Sequence, residues 1–235
     1  MEKVAFITGT SRGIGKATAE LLLDMNYTVF GYSRTNTIEH PKFTFKKSDL
    51  SDLEKVKKVN FPAFSNAEVL LINNAATIGV ISPLHLKTEI DIINEYALNI
   101  ISPTILCKKF IDTFSSNKKL IINISSGAAN SSIASWGTYC ASKSALDRLT
   151  NVIFEEKHDN LEIFSVHPGV VDTHMQLKIR EADANLFPML SKFTTYYNNN
   201  ELEGVNIIAH KLHYIIRNYD KFDQNIVLIR DVDIN

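Results

Sequence analysis

Tyr139 and Lys143 are the two side chains whose types and spacing most directly suggest chemistry. They are four residues apart in a helical pattern, so they share one face of a helix. A free phenol has a pKa of about 10 and exchanges protons poorly at neutral pH. A neighbouring ammonium stabilises the phenolate, so we expect Lys143 to lower the pKa of Tyr139. We interpret the pair as a proton donor and the cation that tunes it.

A second candidate for chemistry is a glycine-rich turn between the first predicted strand and the first predicted helix. It reads Thr8-Gly9-Thr10-Ser11-Arg12-Gly13-Ile14-Gly15. Glycines permit a tight turn and let backbone N–H groups approach a phosphate at the start of a helix. This position between strand and helix predicts a dinucleotide-binding turn.

Composition limits the kind of protein that can position these residues. The chain has 235 residues and a net charge of −1, from 25 basic and 26 acidic side chains. This balance disfavours nucleic acid or a charged membrane surface as a partner. The apolar runs are too short for a signal peptide or a membrane span. The two cysteines, Cys107 and Cys140, cannot form a disulfide framework, so we expect a cytoplasmic protein. The scattered histidines have no partners at ligand spacing, so no metal is expected.

Short apolar runs alternate with longer helical stretches through the whole chain. Continuous apolar runs are typical of strands buried on both faces, and the alternation predicts a parallel sheet. The sequence therefore predicts a single α/β domain, 1–235, with a doubly wound, Rossmann-like parallel sheet. The predicted strands are 4–8, 28–32, 43–45, 69–72, 120–124, 163–166 and 226–229. The predicted helices are 16–25, 52–59, 88–115, 138–157 and 202–218, and 196–200 is predicted as a loop.

Motifs at the ends of these strands resemble those of the short-chain dehydrogenase/reductase family along nearly the whole chain. The glycine turn has that family's G-x-x-x-G-x-G spacing, and Tyr139 to Lys143 is its Y-x-x-x-K. Asn73-Asn74-Ala75 resembles its N-N-A-G, with Ala76 in place of the glycine, and 168–173 resembles its P-G-x-x-x-T. The resemblance implies an oxidoreductase that uses a nicotinamide dinucleotide.

The resemblance also implies roles for individual residues. The implied catalytic residues are Asn99, Ser126, Tyr139 and Lys143. Ser126, thirteen residues before Tyr139, would bond the substrate oxygen, with Ser125 as the nearest alternative. Asn99 would hold a water that relays protons to Lys143, which would also hold the nicotinamide ribose. The implied cofactor-binding residues are Gly9, Ser11, Arg12, Gly13, Ile14, Gly15, Arg34, Asp49, Leu50, Asn74, Ala75, Tyr139, Lys143, Pro168, Gly169, Val171 and Thr173.

The end of the second strand indicates which nicotinamide cofactor is used. It reads Ser33-Arg34-Thr35, where an NAD enzyme places an acidic residue to bind the ribose. Arg12 in the glycine turn adds a second guanidinium. Two guanidinium groups and no carboxylate suit a 2′-phosphate, so the sequence predicts NADP(H).

The second half of the chain is similar to the benzil reductase and sepiapterin reductase branch of the family. The shared features are W-x-x-Y-C around Tyr139 and D-T-x-M-Q at 172–176. This implies reduction of one carbonyl of a 1,2-dicarbonyl, with Ser126, Trp136, Tyr139 and Met175 binding the substrate under a lid at about 174–200. By the same resemblance, the chain forms a homodimer or homotetramer through the helices at 88–115 and 138–157.

Two alternatives to a benzil-type reductase stay open. Sepiapterin reductases hold the pterin with an acidic residue on the last strand, where this chain has Leu228, and Asp231 follows three residues later. A guanidinium-like group buried without a carboxylate is unfavourable by about 1–3 kcal/mol or more, which disfavours a pterin. The second alternative is a non-catalytic protein that senses a dinucleotide. The intact set of four catalytic residues disfavours it.

Overall fold

A seven-stranded parallel sheet forms the centre of the molecule. The computed structural model describes residues 1–234. The strand order is β3-β2-β1-β4-β5-β6-β7, and every neighbouring pair is parallel. The strands are β1 Glu2–Thr8, β2 Thr28–Ser33, β3 Phe43–Lys47, β4 Ala67–Asn73, β5 Lys118–Ile124, β6 Leu161–His167 and β7 Ile226–Leu228. This confirms the predicted doubly wound sheet of seven strands.

Helices cover both faces of the sheet. They are α1 Gly13–Asp24, α2 Leu53–Lys57, α3 Glu89–Tyr96, α4 Ser102–Thr113, α5 Gly137–Glu155, α6 His174–Arg180, α7 Leu190–Asn198 and α8 Val205–Arg217. The packing of the central strand β1 explains why its apolar run is continuous. Ala5 and Ile7 pack on the side of α1 and α8, and Val4 and Phe6 pack on the side of α4 and α5. Both faces of β1 are therefore buried, as a doubly covered strand requires.

Three local predictions differ from the structure. The helix predicted at 88–115 is interrupted by a π-helical segment, Ala97–Ile101, between α3 and α4. The loop predicted at 196–200 is wrong for its first three residues, because α7 extends through Asn198. Phe193 and Tyr196 of α7 pack into an aromatic cluster, and this tertiary packing outweighs the weak helix propensity of tyrosine and asparagine. The last strand ends at Leu228, and Ile229–Asp231 forms a 3₁₀ turn.

The carboxyl ends of the strands meet at one edge of the sheet. The strand order reverses beside β1, whose neighbours are β2 and β4. Open α/β sheets bind ligands in the crevice outside such a reversal point. The loops after β1, β2, β4, β5 and β6 all enter this crevice, and they carry the predicted functional residues.

Candidate active site

A cleft of about 1090 Å³ lies at this edge of the sheet. The residues predicted for the cofactor and the substrate were drawn from segments throughout the chain. Nearly all of them line this one cleft: Gly9, Ser11, Arg12, Gly13, Ile14, Arg34, Asp49, Leu50, Asn74, Ala75, Ser126, Trp136, Tyr139, Lys143, Pro168, Gly169, Val171, Thr173 and Met175. Gly15 and Asn99 do not line it, and both support residues that do.

The glycine turn is held against the end of β4. Gly9 and Gly13 have positive φ angles of 74° and 60°. A Cβ on Gly15 would lie 2.3 Å from Nδ2 of Asn74, and one on Gly9 would lie 2.8 Å from the same atom. Asn74 Nδ2 donates to the carbonyl oxygens of Thr8 and Gly9 at 2.9 and 3.3 Å. The turn therefore needs glycine at these positions, and Gly15 acts through packing.

The start of α1 fits the phosphate groups of a dinucleotide. Its N-cap residue, Arg12, makes no side-chain capping bond, and its first turn carries no acidic residue. The first N–H groups of a helix have no partners within the helix, and they favour an anion. Together with the glycine turn, this makes the cleft suitable for a pyrophosphate.

The end of the cleft next to β2 is lined by Arg12, Ser33, Arg34 and Asp49. Asp49 accepts hydrogen bonds from the backbone and hydroxyl of Ser51 at 3.1 and 2.7 Å. These bonds, chiefly the one from the hydroxyl, lower the pKa of Asp49, and Arg34 lowers it further. Asp49 is thus an ionised group engaged by Ser51, and both Arg12 and Arg34 line the cleft beside it.

Tyr139 and Lys143 lie in the floor of the cleft, both on α5. Lys143 Nζ donates to the carbonyl oxygen of Ile124 at 2.7 Å and lies 5.8 Å from the centre of the Tyr139 ring. Burial raises the pKa of Tyr139 to about 12, and a hydrogen bond with Ser126 opposes that rise. The expectation that the pKa of Tyr139 lies below its ordinary value because of Lys143 is therefore wrong. Desolvation of the phenolate is the main cause of the raised pKa, and Tyr139 carries its proton at neutral pH.

Burial has the opposite effect on the ammonium. It lowers the pKa of Lys143 to about 8, and the nearby carboxylate of Asp147 limits that fall. Asp147 lies one turn further along α5 and accepts hydrogen bonds from Ser165 Oγ at 2.6 Å and from His167 Nε2 at 2.8 Å. Lys143 is therefore mainly protonated at pH 7, with Asp147 as its nearest counter-charge.

Two neighbouring serines at the end of β5 face different ways. Ser126 lies beside Tyr139, and its Oγ accepts from the N–H of Ala128 at 3.1 Å. Ser125 is buried, and its Oγ donates to the carbonyl oxygen of Lys143 at 3.4 Å. Of the two, the geometry brings Ser126 to the phenol.

Asn99 lies in the π-helical segment behind the cleft. Its Nδ2 donates to the carbonyl oxygen of Thr77 at 2.9 Å and to Ser142 Oγ at 3.2 Å. Its Oδ1 accepts from the N–H of Thr77 at 2.9 Å. The side chain of Asn99 therefore joins the loop after β4 to helix α5, which carries Tyr139. π-Helical segments often occur at functional sites, and this one lies directly behind the predicted proton donor.

The far end of the cleft is walled by aromatic side chains. Trp136 stacks on Phe187 with ring centres 5.5 Å apart, and Phe193 and Tyr139 pack at 5.0 and 5.7 Å. Met175 Sδ lies 3.9 Å from Oη of Tyr139. Trp136 and Met175, which are predicted to bind the substrate, thus both contact Tyr139. Helices α6 and α7 span most of the predicted lid segment and supply part of this wall.

Sequence reasoning missed a buried ion pair behind the cleft wall. Lys87 Nζ lies 2.7 Å from Oε2 of Glu95, and both side chains are at least 96% buried. Glu95 Oε1 accepts from the N–H of Val80 at 2.7 Å, and Thr138 bonds to both charged groups. The pair therefore holds the loop after β4 against the residue that precedes Tyr139. No helix or strand periodicity predicts this group of side chains, because Lys87 lies before α3, Glu95 lies on α3 and Thr138 lies on α5.

Two further findings concern the described residues as a whole. Within 1–234, no three His, Cys, Asp or Glu side chains are grouped as a metal site would require. No helix in that part of the chain is both long enough and apolar enough to cross a membrane.

Comparisons with known proteins agree with this geometry. The family model "short chain dehydrogenase" matches residues 3–184. A benzil reductase ((S)-benzoin forming) of Bacillus subtilis is 33% identical over 221 residues, 88% of this chain and 90% of that protein. A rat sepiapterin reductase is 35% identical over 151 residues, 61% of this chain and 56% of that protein. A crystal structure of the YIR035C short chain dehydrogenase/reductase of Saccharomyces cerevisiae has a TM-score of 0.86 at 23% identity, covering 97% and 96% of the two chains.

The chain belongs to the short-chain dehydrogenase/reductase family. It is an oxidoreductase acting on C=O or CH–OH groups, and nicotinamide dinucleotides are the cofactors of this family.

Proposed function

We propose that this protein is an NADPH-dependent carbonyl reductase that reduces one carbonyl of a 1,2-dicarbonyl of the benzil type to a hydroxyketone. The observation that carries the proposal is the position of Tyr139. Its protonated phenol lies beside Ser126 and above Lys143, at the aromatic end of a cleft that fits a dinucleotide. The similarity to benzil reductases supports the choice of substrate.

Ser126, Tyr139 and Lys143 have different roles at the substrate oxygen. When bound, the nicotinamide supplies the hydride to the carbonyl carbon. Ser126 Oγ donates a hydrogen bond to the carbonyl oxygen, where negative charge develops. Tyr139 gives its proton to that oxygen, and the Lys143 ammonium stabilises the phenolate that remains. Asn99 fixes Thr77 and α5, which keeps the cleft wall in place around these groups.

The preference for NADPH rests on Arg12 and Arg34. Arg34→Ser is expected to raise the KM for NADPH about 10- to 100-fold, because a charge-assisted hydrogen bond contributes about 1.5–3 kcal/mol. The KM for NADH should change little, since NADH has no 2′-phosphate. Steady-state kinetics with both cofactors measure this. Arg148→Ser, an exposed arginine of α5 outside the cleft, is the matched control. Equal changes for both cofactors in Arg34→Ser would contradict the assignment.

The pKa of Lys143 predicts how reduction depends on pH. Because burial lowers this pKa to about 8, the ammonium is present at pH 7 and is lost as the pH rises through 8. We expect kcat/KM for reduction to be level near neutral pH and to fall above pH 8. Asp147→Asn removes the carboxylate that raises the pKa of Lys143, so the break should move to lower pH. A rate that stays level to pH 10 in both proteins would refute the role of Lys143.

A pterin is the alternative substrate, favoured by the similarity to sepiapterin reductases. The candidate for holding its guanidino group is Asp231. The side chain of Asp231 is 67% exposed, pairs with Arg230 at 3.5 Å and does not line the cleft. Leu228 ends β7 at the position where a carboxylate would be needed. These contacts support the diketone over the pterin. A non-catalytic sensor is disfavoured by the intact acid–base set.

The experiment that tests the proposal compares three substrates. Purified protein is given NADPH with benzil, with sepiapterin and with an aliphatic monoketone, and NADPH consumption is followed. The proposal predicts the highest kcat/KM with benzil. Faster turnover of sepiapterin would favour the pterin alternative, and no turnover of any carbonyl would favour the sensor.

Association and location are proposed by resemblance as well. The helices predicted to mediate a homodimer or homotetramer expose Ile90, Ile93, Ile101 and Val152, and these apolar side chains suit such a contact. Cys107 and Cys140 are both free, as a cytoplasmic protein would keep them.

A further inference from the structure

Gln176 is a buried polar residue in the wall of the cleft. It is the third residue of α6, it is 3% exposed, and it lines the cleft. The residue before it, Met175, lies 3.9 Å from Oη of Tyr139 through its sulfur. Gln176 therefore follows directly in sequence the residue whose sulfur contacts the phenol, and both residues line the same cleft.

The two ends of the Gln176 amide differ in their partners. Oε1 accepts a hydrogen bond from Nη1 of Arg180 at 3.4 Å. Arginine can only donate, so the amide oxygen must face Arg180 and the NH₂ group must face away from it. Nε2 is buried and has no acceptor within residues 1–234. Leaving a buried donor without an acceptor is unfavourable, so this amide is suited to a ligand that brings an acceptor.

Other polar side chains line this part of the cleft, such as His174, Lys178 and Tyr196, but none of them is a buried group without a partner as the Gln176 amide is. Ile179 and Phe193 also line the cleft and carry no side-chain polar atoms. Trp136 Nε1 is a second buried N–H of the cleft lining that has no acceptor in the described part of the chain. Three aromatic rings pack against the indole with ring centres at 5.0–5.7 Å, so the Gln176 amide is the better candidate to bond a ligand.

Building on the proposed function, we propose that Gln176 Nε2 donates a hydrogen bond to the second carbonyl oxygen of the substrate, the one that is not reduced. Tyr139 and Ser126 bond the oxygen of the carbonyl that is reduced, and Gln176 bonds the oxygen of the neighbouring carbonyl. The site thereby selects 1,2-dicarbonyls over monoketones of the same size, because a monoketone leaves the amide without its acceptor. The same bond fixes the orientation of the second carbonyl relative to the one that meets Tyr139.

The test compares two substrates that differ at one position. Benzil has two phenyl rings and two adjacent carbonyls, and deoxybenzoin has the same rings with a methylene in place of one carbonyl. In Gln176→Met, which keeps the size and removes the donor, kcat/KM for benzil should fall about tenfold. The value for deoxybenzoin should stay within about twofold, since its methylene cannot accept the bond. For each substrate, kcat/KM of the variant is divided by that of the unmodified protein, so the higher intrinsic reactivity of benzil cancels.

Two further variants keep the proposal testable. Gln176→Glu keeps the shape of the side chain and the bond to Arg180 but has no N–H to donate. Like Gln176→Met, it should lose the preference for benzil over deoxybenzoin. Arg180→Met keeps the donor and should retain the preference. Equal falls in kcat/KM for benzil and deoxybenzoin in Gln176→Met would overturn the inference. It would also be overturned if Trp136→Phe lost the preference for benzil over deoxybenzoin while Gln176→Met kept it. Failure of the unmodified protein to reduce benzil would instead overturn the proposed function.

Discussion

Replacement of Tyr139 by Phe is expected to lower kcat for benzil reduction by about 100- to 10,000-fold, the usual contribution of a positioned proton donor. The phenol is buried beside Ser126 and retains its proton at neutral pH, since burial raises its pKa to about 12. Phenylalanine keeps the ring that packs against Trp136 and removes only the hydroxyl. The measurement is steady-state NADPH consumption with saturating benzil.

The control for Tyr139→Phe separates lost chemistry from lost binding. Tyr214→Phe removes a phenol on α8, which does not line the cleft, and should leave kcat unchanged. The affinity for NADPH, measured by fluorescence titration, should change by less than about threefold in Tyr139→Phe, because the phosphate contacts lie in the glycine turn. Wild-type kcat in Tyr139→Phe would show that another group delivers the proton.

Replacement of Lys87 by Met is expected to lower the free energy of unfolding by about 3–5 kcal/mol, the usual effect of removing one partner of a buried ion pair. Glu95 would be left without its partner in an environment where its side chain is 4% exposed, with Lys87 no longer 2.7 Å away. The loss is large because the hydrogen bonds from Val80 and Thr138 do not neutralise the charge. Urea unfolding followed by circular dichroism measures it.

A surface pair gives the matched comparison for Lys87→Met. Lys108 and Asp112 of α4 form an ion pair whose side chains are 75% and 60% exposed, so Lys108→Met should have little effect on stability. The double variant Lys87→Met with Glu95→Gln should recover part of the loss, since it leaves no buried charge. Similar stabilities for Lys87→Met and Lys108→Met would mean that Lys87 and Glu95 are not a buried pair in solution.

The sequence was sufficient for the sheet and for the residues at its carboxyl edge. Apolar runs such as that of β1 predict strands buried on both faces, and motifs at strand ends converge wherever parallel strands end together. The glycine turn, Asn74, Ser126, Tyr139 and Lys143 were placed in one cleft for this reason.

Features that depend on packing between distant elements were not predictable in this way. The bond from Asn99 to Thr77 and the ion pair of Lys87 with Glu95 join segments whose separation in sequence carries no periodic signal. The high pKa of Tyr139 follows from complete burial, which the four-residue spacing to Lys143 does not reveal. Gln176 belongs to a motif visible in the sequence, but the unpaired end of its amide is visible only once Arg180 is placed beside it.

Hydride transfer from NADPH to benzil can be followed with cofactor labelled with deuterium. NADPH carrying deuterium at both positions of the hydride-donating carbon is incubated with benzil and the purified protein, and the products are identified by mass spectrometry and NMR. The account predicts benzoin with one deuterium on its carbinol carbon, and one NADPH consumed for each benzil reduced. Absence of deuterium from the carbinol carbon, or no benzoin at all, would contradict the assignment of this protein as a benzil-type carbonyl reductase.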